Sequence, residues 1–435
     1  QLARLSRGNT SRTYTAKLAE ALSALKLEIF RTKKSILKLY TVNAPFGGNI
    51  VGLEAAAWRY LEKSSAEITW AEAAGLAVLP NSPALVFPGK NQHILKTRRD
   101  DLLRKLYERE YFDSLTFILA LDEPLPGEPK PLPSKAPHLT DYFFSKNKGE
   151  MIRTTIDPAV QDRANAIIES HRKELSGNLI NNAACLIIKV ETGEVLAYVG
   201  NSRSDKAGSH GEDVDIIRSP RSTGSILKPL LYAGIQQSGQ ILPNTLIADI
   251  PTRFPGFSPK NFDQSFSGAV PASVALSQSL NIPAVKMLQE YSVEKMLELF
   301  QKTGFTSFTR PADHYGLSLI LGGGEASLWE LTGVYASLSR VLNRYNKEGK
   351  YYPGDYHVPV LHEIMVTSKE IPVYGEPVLS ASSIWLTYEA LKRVNRPEGE
   401  TGWQFFSSSP DIAWKTGTSF GFRDAWSVGM TADYL

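Results

Sequence analysis

The chain contains 435 residues, of which 42% are hydrophobic and 21% are charged, and its formal net charge is +3. This composition is ordinary for a globular protein with a sizeable core, and the length predicts roughly two or three domains. The net charge is too small to argue for a nucleic-acid partner, and we expect none. The histidines are scattered without the spacing of metal ligands, so the sequence predicts no metal site.

The first part of the chain, residues 1–122, is predicted to be mainly helical and to form one domain. Apolar residues recur there at steps of three and four positions, which is the period of an amphipathic helix. The pattern predicts helices over residues 16–30, 51–60, 69–78 and 96–105.

A proline-rich segment follows, and we expect residues 123–150 to link two domains. Five of its prolines stand close together, at positions 124, 126, 129, 131 and 133. Such a composition favours an extended, semi-rigid chain over a helix or a strand.

The remainder, residues 151–435, alternates predicted strands and helices. We expect strands over 184–190, 194–199, 412–418 and 425–430, and helices over 157–174, 225–236, 273–278, 284–291 and 293–302. Strands at both ends with helices between them are typical of an antiparallel sheet covered by a helical cluster. The predicted fold class is therefore α+β, preceded by a mainly helical domain.

Three short motifs occur in one order along this second domain. They are Ser225-x-x-Lys228, Ser279-x-Asn281 and Lys415-Thr416-Gly417-Thr418. Each pattern recurs by chance in a long chain, and the first alone could be a helix cap followed by a surface lysine. The ordered set argues against chance, because serine acyltransferases with this signature bring all three to one acyl group.

The first motif can supply a nucleophile and its base. A serine hydroxyl attacks only when a base within hydrogen-bond reach takes its proton. Three residues apart on a helix, Ser225 and Lys228 lie on one face, and Pro229 suits the first turn. We therefore expect the helix to begin near Ser225, with its dipole favouring negative charge there. Lys228 acts as a base only if burial or a nearby positive charge, for which Lys415 is a candidate, lowers its pKa.

The second and third motifs can complete such a site. Ser279 is a candidate proton relay, and Asn281 is a candidate donor to a substrate amide. Besides its effect on Lys228, Lys415 could bind a substrate carboxylate.

The third motif is predicted to be an edge strand, to which a peptide substrate could add as a further strand. Gly417, between Thr416 and Thr418, would leave room for the substrate backbone. The N–H groups of Ser225 and Thr418 are the candidates for an oxyanion hole.

With their flanking residues, these motifs resemble those of class A penicillin-binding proteins, which are bifunctional peptidoglycan synthases. The resemblance extends over nearly the whole chain and is greatest for the 1C type. It rests on four stretches of the second domain: residues 221–229, 279–285, 415–419 and 423–426. It implies that residues 151–435 form a penicillin-binding transpeptidase domain.

Residues 1–122 resemble the C-terminal part of the family's lysozyme-like glycosyltransferase domain (family 51), which polymerises lipid II. Lys17 and Glu20 resemble its R-K-x-x-E segment, which carries a functional glutamate. Without the resemblance, the better interpretation of Glu20 is a surface helix carboxylate paired with Lys17 or with another nearby basic residue. The segment with the family's first glutamate, E-D-x-x-F-x-x-H-x-G, would lie before Gln1. We therefore expect a chain truncated at both ends and a partial glycosyltransferase without useful activity. A divalent metal in the complete enzyme stays open.

The resemblance implies a D,D-transpeptidase or carboxypeptidase that needs no cofactor. Ser225 would attack the penultimate D-alanine of stem peptides ending in D-Ala-D-Ala, and β-lactams would acylate it as substrate mimics. The full-length protein would also polymerise lipid II, held to the membrane by an anchor before Gln1. It would act in the bacterial cell envelope, on the periplasmic side of the inner membrane.

Two other functions stay open. A serine β-lactamase shares the acylation step but needs a base for the deacylating water, for which Glu325 is the nearest candidate. The glycosyltransferase-like domain argues against that function. A non-catalytic penicillin sensor or scaffold would keep the motifs without turnover, and assaying a stem-peptide analogue would separate it from a transpeptidase.

Overall fold

The structure is a computed structural model, and it describes residues 1–6, 13–132, 134–148, 150–203, 210–254, 257–362, 376–393 and 412–435. The chain divides into two compact units, Gln1–Ser134 and Lys135–Leu435. The border falls inside the segment that we expect to link two domains. Across the described ranges, the helices are too short or too polar to cross a bilayer.

Unit 1 is mainly helical. Its elements are α1 (Leu2–Leu5), α2 (Tyr14–Phe30), α3 (Lys33–Asn43), β1 (Pro45–Gly47), β2 (Ile50–Val51), α4 (Leu53–Leu61), α5 (Trp70–Val78), α6 (Gln92–Glu108) and α7 (Ser114–Asp122). The four predicted helices appear as α2, α4, α5 and α6, whereas α1, α3 and α7 were not predicted. Local caps set two of the starts. Thr69 and Glu72 form a capping box before α5, and Asp113 accepts a backbone hydrogen bond at the start of α7.

The proline-rich segment is fastened to unit 1. Arg99 is only 1% exposed and donates to the backbone oxygens of Leu121 (3.1 Å) and Glu123. The N–H of Lys130 donates to the backbone oxygen of Arg59 at 2.6 Å. Residues 123–132 contain no helix or strand, as their composition predicts, and position 133 lies outside the described residues.

The later part of that segment differs from the expectation of an extended chain. It forms helix α8 (Pro137–Lys146), with the proline in the first turn, where a missing N–H costs little.

Unit 2 consists of helices and short antiparallel strand pairs. After α8 its elements are α9 (Pro158–Leu175), β3 (Cys185–Ile188), β4 (Val195–Val199), β5 (Arg221–Ser222), α10 (Lys228–Gln237), β6 (Leu246–Asp249), β7 (Gly268–Pro271), α11 (Ala272–Ser277), α12 (Asn281–Tyr291), α13 (Val293–Thr303), α14 (Ala312–Tyr315), β8 (Glu325–Ala326), α15 (Leu328–Glu348), α16 (Ala381–Leu391), β9 (Ala413–Thr418) and β10 (Ala425–Met430). The pairs β3–β4, β5–β8, β6–β7 and β9–β10 are all antiparallel.

Unit 2 combines helices with antiparallel strand pairs, which confirms the predicted α+β class. The four predicted strands appear as β3, β4, β9 and β10. Ile188 at the end of β3 exchanges backbone hydrogen bonds of 2.9 and 3.1 Å with Leu435, beyond β10. Backbone hydrogen bonds therefore join β3, near the start of unit 2, to the chain that follows β10 at its end.

The helical cluster of unit 2 is built around α10, which follows the first motif. Leu230 and Leu231 of α10 are fully buried in the largest apolar cluster. Tyr335 of α15 is also fully buried, and its hydroxyl donates to the backbone oxygen of Ile226 at 2.5 Å. The chain between Ser225 and Lys228 is thereby held from the core side.

Candidate active site

Ser225 lies in a turn that precedes α10. The N–H of Ile226 donates to Thr223 O at 3.1 Å, and the N–H of Lys228 donates to Ser225 O at 3.2 Å. Helix α10 begins at Lys228 with Pro229 in its first turn. The prediction that the helix begins near Ser225 is therefore wrong, and the positive end of the helix dipole lies after the serine.

Two glycines explain why this turn sits directly against β9. Gly224 has a φ of +50°, and a Cβ there would lie 2.5 Å from Thr418 O. A Cβ on Gly417 would lie 3.0 Å from both Ile226 N and Thr223 O. Gly417 therefore makes room for the backbone of the protein's own turn, and its place beside a substrate backbone stays a prediction.

The candidate nucleophile is left free by this arrangement. Ser225 is half-buried, and within the described ranges its Oγ makes no hydrogen bond. Its N–H also makes no backbone hydrogen bond there. Thr416 and Thr418 alternate with buried neighbours along β9 and are exposed. The serine, its N–H and the outer face of β9 are thus available to a ligand.

Lys228 is buried among acceptors of the second motif. Its side chain is 2% exposed, and Nζ donates to Ser279 O (2.7 Å), Leu280 O (3.2 Å) and Asn281 Oδ1 (2.7 Å). Burial and the positive charge of Lys415 lower the pKa of Lys228 well below the usual value for lysine. Both causes are those that a lysine base requires.

Ser279 owes its position to an unusual backbone conformation. Its φ is +56°, and it ends α11 in a Schellman arrangement, with Ser279 N–H on Leu276 O and Leu280 N–H on Ala275 O, both at 2.9 Å. Glycine is the usual residue there, and a serine costs about 1–2 kcal/mol in this conformation. The conformation places the carbonyl of Ser279 against Lys228 and its hydroxyl against Lys415.

Lys415 reaches the same serine from β9. It is 2% exposed, and its Nζ donates to Ser279 Oγ at 2.9 Å and to Thr416 O. Burial lowers the pKa of Lys415 to about 7. Because Ser279 contacts one lysine with its carbonyl and the other with its hydroxyl, the second motif joins the first to the third.

Asn281 orients Lys228, a contact that sequence reasoning did not assign. Its Oδ1 accepts from Lys228 Nζ, and its Nδ2 donates to Lys260 O at 2.7 Å. One N–H of the amide remains for another acceptor.

Two side-chain contacts hold the segment before the Ser225 turn against the start of β10, and sequence reasoning missed both. Trp426 Nε1 donates to Ser222 O at 2.8 Å, and Arg221 Nη1 lies 3.4 Å from Asp424 Oδ1. The residues stand in the stretches on which the family resemblance rests. Their pairing across 200 positions has no local signal in the sequence.

The remaining candidates lie elsewhere. Glu325 has an exposed side chain, and its backbone pairs with Ser222 in β5–β8. Lys17 and Glu20 belong to α2 of unit 1, and no ion pair forms between them. The described residues contain no cluster of three or more His, Cys, Asp or Glu side chains that could hold a metal ion.

The fold and the three joined motifs define the class of protein. A family model described as "Penicillin binding protein transpeptidase domain" matches residues 183–433, which is more than half of the chain. A second model, described as "Transglycosylase", matches residues 1–107. The chain therefore belongs to the penicillin-binding protein family, and the pairing of the two domains is that of its class A.

Individual relatives agree with this assignment. The chain is 30% identical over 426 residues to penicillin-binding protein 1C of Escherichia coli K12, and the match covers 98% of this chain and 52% of that protein. It is 25% identical to penicillin-binding protein 1F of Bacillus subtilis, with 97% and 59% covered. The chain thus spans between half and three fifths of the length of these relatives.

A solved structure has the same fold. Penicillin-binding protein 1A from Haemophilus influenzae superposes with a TM-score of 0.60 at 18% identity, and the match covers 94% of this chain and 81% of that chain.

The contact between the Ser225 turn and β9 predicts a strong effect of one added methyl group. Gly224→Ala should lower the free energy of unfolding of unit 2 by about 2–4 kcal/mol, because the Cβ meets backbone and φ is positive. Gly239→Ala is the matched control, since its φ is +74° and open space surrounds it, so it should cost only about 1 kcal/mol. Urea unfolding of both variants measures the difference, and equal losses would refute the close contact.

Burial of Lys415 predicts a pH-dependent stability. The pKa of Lys415 is lower in the folded than in the unfolded protein. Burying the amine therefore destabilises the fold fully below about pH 7, less and less as the pH rises, and not at all above about pH 10. Between pH 9 and pH 6, wild type should lose about 2–3 kcal/mol relative to Lys415→Met. Urea unfolding at both values measures this, with the exposed Lys295→Met as control. A parallel pH dependence of wild type and Lys415→Met would contradict the account.

Proposed function

We propose that the chain is a penicillin-sensitive serine acyltransferase that cross-links peptidoglycan stem peptides ending in D-Ala-D-Ala. One observation carries the proposal: two buried lysines converge on Ser279, and one of them, Lys228, begins the helix that follows the turn of Ser225. Burial favours the neutral amine of Lys228, which is the form that can accept a proton.

The acylation step follows from these positions. Lys228 takes the proton of Ser225 as Oγ bonds to the carbonyl carbon of the penultimate D-alanine. The N–H groups of Ser225 and Thr418 are the proposed oxyanion hole, and the unpaired state of the first supports this role. The remaining amide N–H of Asn281 is the proposed donor to the substrate amide.

Departure of the terminal D-alanine completes the acyl-enzyme. The C–N bond to that residue breaks, and its nitrogen receives the proton that Lys228 took from Ser225, relayed by the Ser279 hydroxyl, which lies 2.9 Å from Lys415 Nζ. Lys415 and Thr418 would hold the carboxylate of the leaving residue, and Thr416 would line the same exposed edge of β9. An amine from a second stem then attacks the ester carbonyl carbon, and the C–O bond to Oγ breaks. The proton that the amine loses passes through Lys228 to Oγ, which restores Ser225. Water in place of that amine gives the carboxypeptidase outcome.

The glycosyltransferase activity is proposed for the full-length protein. The match of residues 1–107 to a transglycosylase model supports lipid II as its substrate. The 435 residues contain no E-D-x-x-F-x-x-H-x-G segment, so we expect them alone not to polymerise lipid II. Lys17 and Glu20 are its proposed functional residues. A divalent metal for that reaction stays open, and we propose membrane attachment and a periplasmic location from the nature of both substrates.

The β-lactamase alternative is less well supported. Glu325, its candidate base, has an exposed side chain in a strand pair whose other member leads to Ser225. A structural role in the β5–β8 pair accounts for its position.

Labelling with a fluorescent penicillin tests the proposal. We expect wild type to carry a label that stays for hours after free drug is removed, and Ser225→Ala to carry none, because the ester forms on Oγ. Ser238→Ala, at the opposite end of α10, should label like wild type. Denaturing gel fluorescence and release of D-alanine from a stem-peptide analogue are the measurements.

The other outcomes separate the alternatives. Rapid loss of label with hydrolysed drug would indicate a β-lactamase, and stable label without D-alanine release would indicate a sensor or scaffold. Absence of label on folded wild type would contradict every acyl-enzyme function.

A further inference from the structure

A buried chain of hydrogen bonds leads from Asn281 to two side chains outside the motifs. The N–H of Asn281 donates to Asn261 Oδ1 at 2.9 Å. Asn261 Nδ2 donates to Asp249 Oδ1 (2.9 Å) and Oδ2 (3.1 Å). Asp249 is 0% exposed and Asn261 is 4% exposed. Buried polar groups linked in this way specify one arrangement, because each unmade bond is costly.

Asp249 determines which way the Asn261 amide faces. Its Oδ2 also accepts from the N–H of Ser267 at 2.9 Å, and a carboxylate offers acceptors only. The NH₂ group of Asn261 must therefore face Asp249, and its oxygen must face Asn281. A second bond from Asn261 Nδ2 to Ser265 O, at 2.9 Å, favours the same orientation.

Asn261 serves as a cap for α12 from a distant loop. Asn281 is the first residue of this helix, and the N-cap residue, Leu280, provides no side-chain acceptor. The first N–H groups of a helix need acceptors from outside it. Asn261 supplies one, and its neighbour Lys260 accepts from the Asn281 side chain at 2.7 Å. Residues 260 and 261 thus hold Asn281 by its backbone and by its amide.

We propose that Asn261, oriented by Asp249, is a positioning residue that keeps the Asn281 side chain on Lys228 and thereby supports acylation of Ser225. The contact that it maintains is the 2.7 Å bond from Lys228 Nζ to Asn281 Oδ1. This inference rests on the proposed function. Neither Asn261 nor Asp249 touches the reacting atoms, so their effect passes through Asn281.

Reversing the donor and acceptor tests this role. Asn261→Asp keeps an acceptor for Asn281 but sets two carboxylates against each other, and Asp249→Asn lets the Asn261 amide turn round. Each should slow acylation at saturating fluorescent penicillin by about 10–100-fold, because small misplacements near a reacting group are costly. The apparent Kd should change by less than about threefold, since binding groups remain.

The double variant provides the rescue. With both changes, the new amide at position 249 can donate to the new carboxylate at position 261, which still accepts from Asn281. Its acylation rate should return to within about fivefold of wild type, as expected for coupled sites. Asp313→Asn is the matched control, because it makes the same change on an exposed carboxylate of α14 that takes no part in this network, and it should leave the rate unchanged.

Each result decides the proposal. Single variants that acylate like wild type, a double variant slower than both, or an equally slow Asp313→Asn would overturn it. If a single variant does not fold, the double variant alone decides, since a rate near wild type supports the role and a large loss refutes it. Wild type that takes no label would instead show that the proposed function itself has failed.

Discussion

The left-handed backbone of Ser279 is the constraint on which the site depends. It closes α11 and places the carbonyl against Lys228 and the hydroxyl against Lys415. A serine is strained in this conformation by about 1–2 kcal/mol, but a glycine would lack the hydroxyl. The strain is thus tied to bringing two buried amines to one residue. Burial lowers the pKa of both amines, and the charge of Lys415 lowers that of Lys228 further.

Close backbone packing fixes the other half of the site. Gly224 and Gly417 let the Ser225 turn and β9 touch without intervening side chains. The turn is then held by Tyr335 on the core side and by Trp426 on the β10 side. These contacts come from well-separated parts of the sequence, so Ser225 reaches its position only when these parts of unit 2 have folded together.

Sequence reasoning predicted the class, the main strands and the residues of the three motifs, because those depend on local periodicity and residue type. It failed for those features that contacts between distant parts of the sequence determine. The longest helix of unit 2, α15, was missed because buried polar residues such as Arg340, whose guanidinium binds Val190 O and Asp355 O, obscure its apolar face. The helix start at Lys228 and the contact between Gly417 and the Ser225 turn depend on how that turn packs against β9. The two segments lie almost 200 positions apart in the sequence.

The protonation state of Lys228 tests the account most directly. Lysines labelled with ¹³C at Cε can be followed by NMR across a pH titration, and the resonance missing from Lys228→Met identifies this residue. The account predicts that this resonance titrates well below the usual lysine value of about 10.4, because the amine is buried beside Lys415. A midpoint near about 10.4 would mean that Lys228 is an ordinary ammonium ion, and its role as a base would be contradicted.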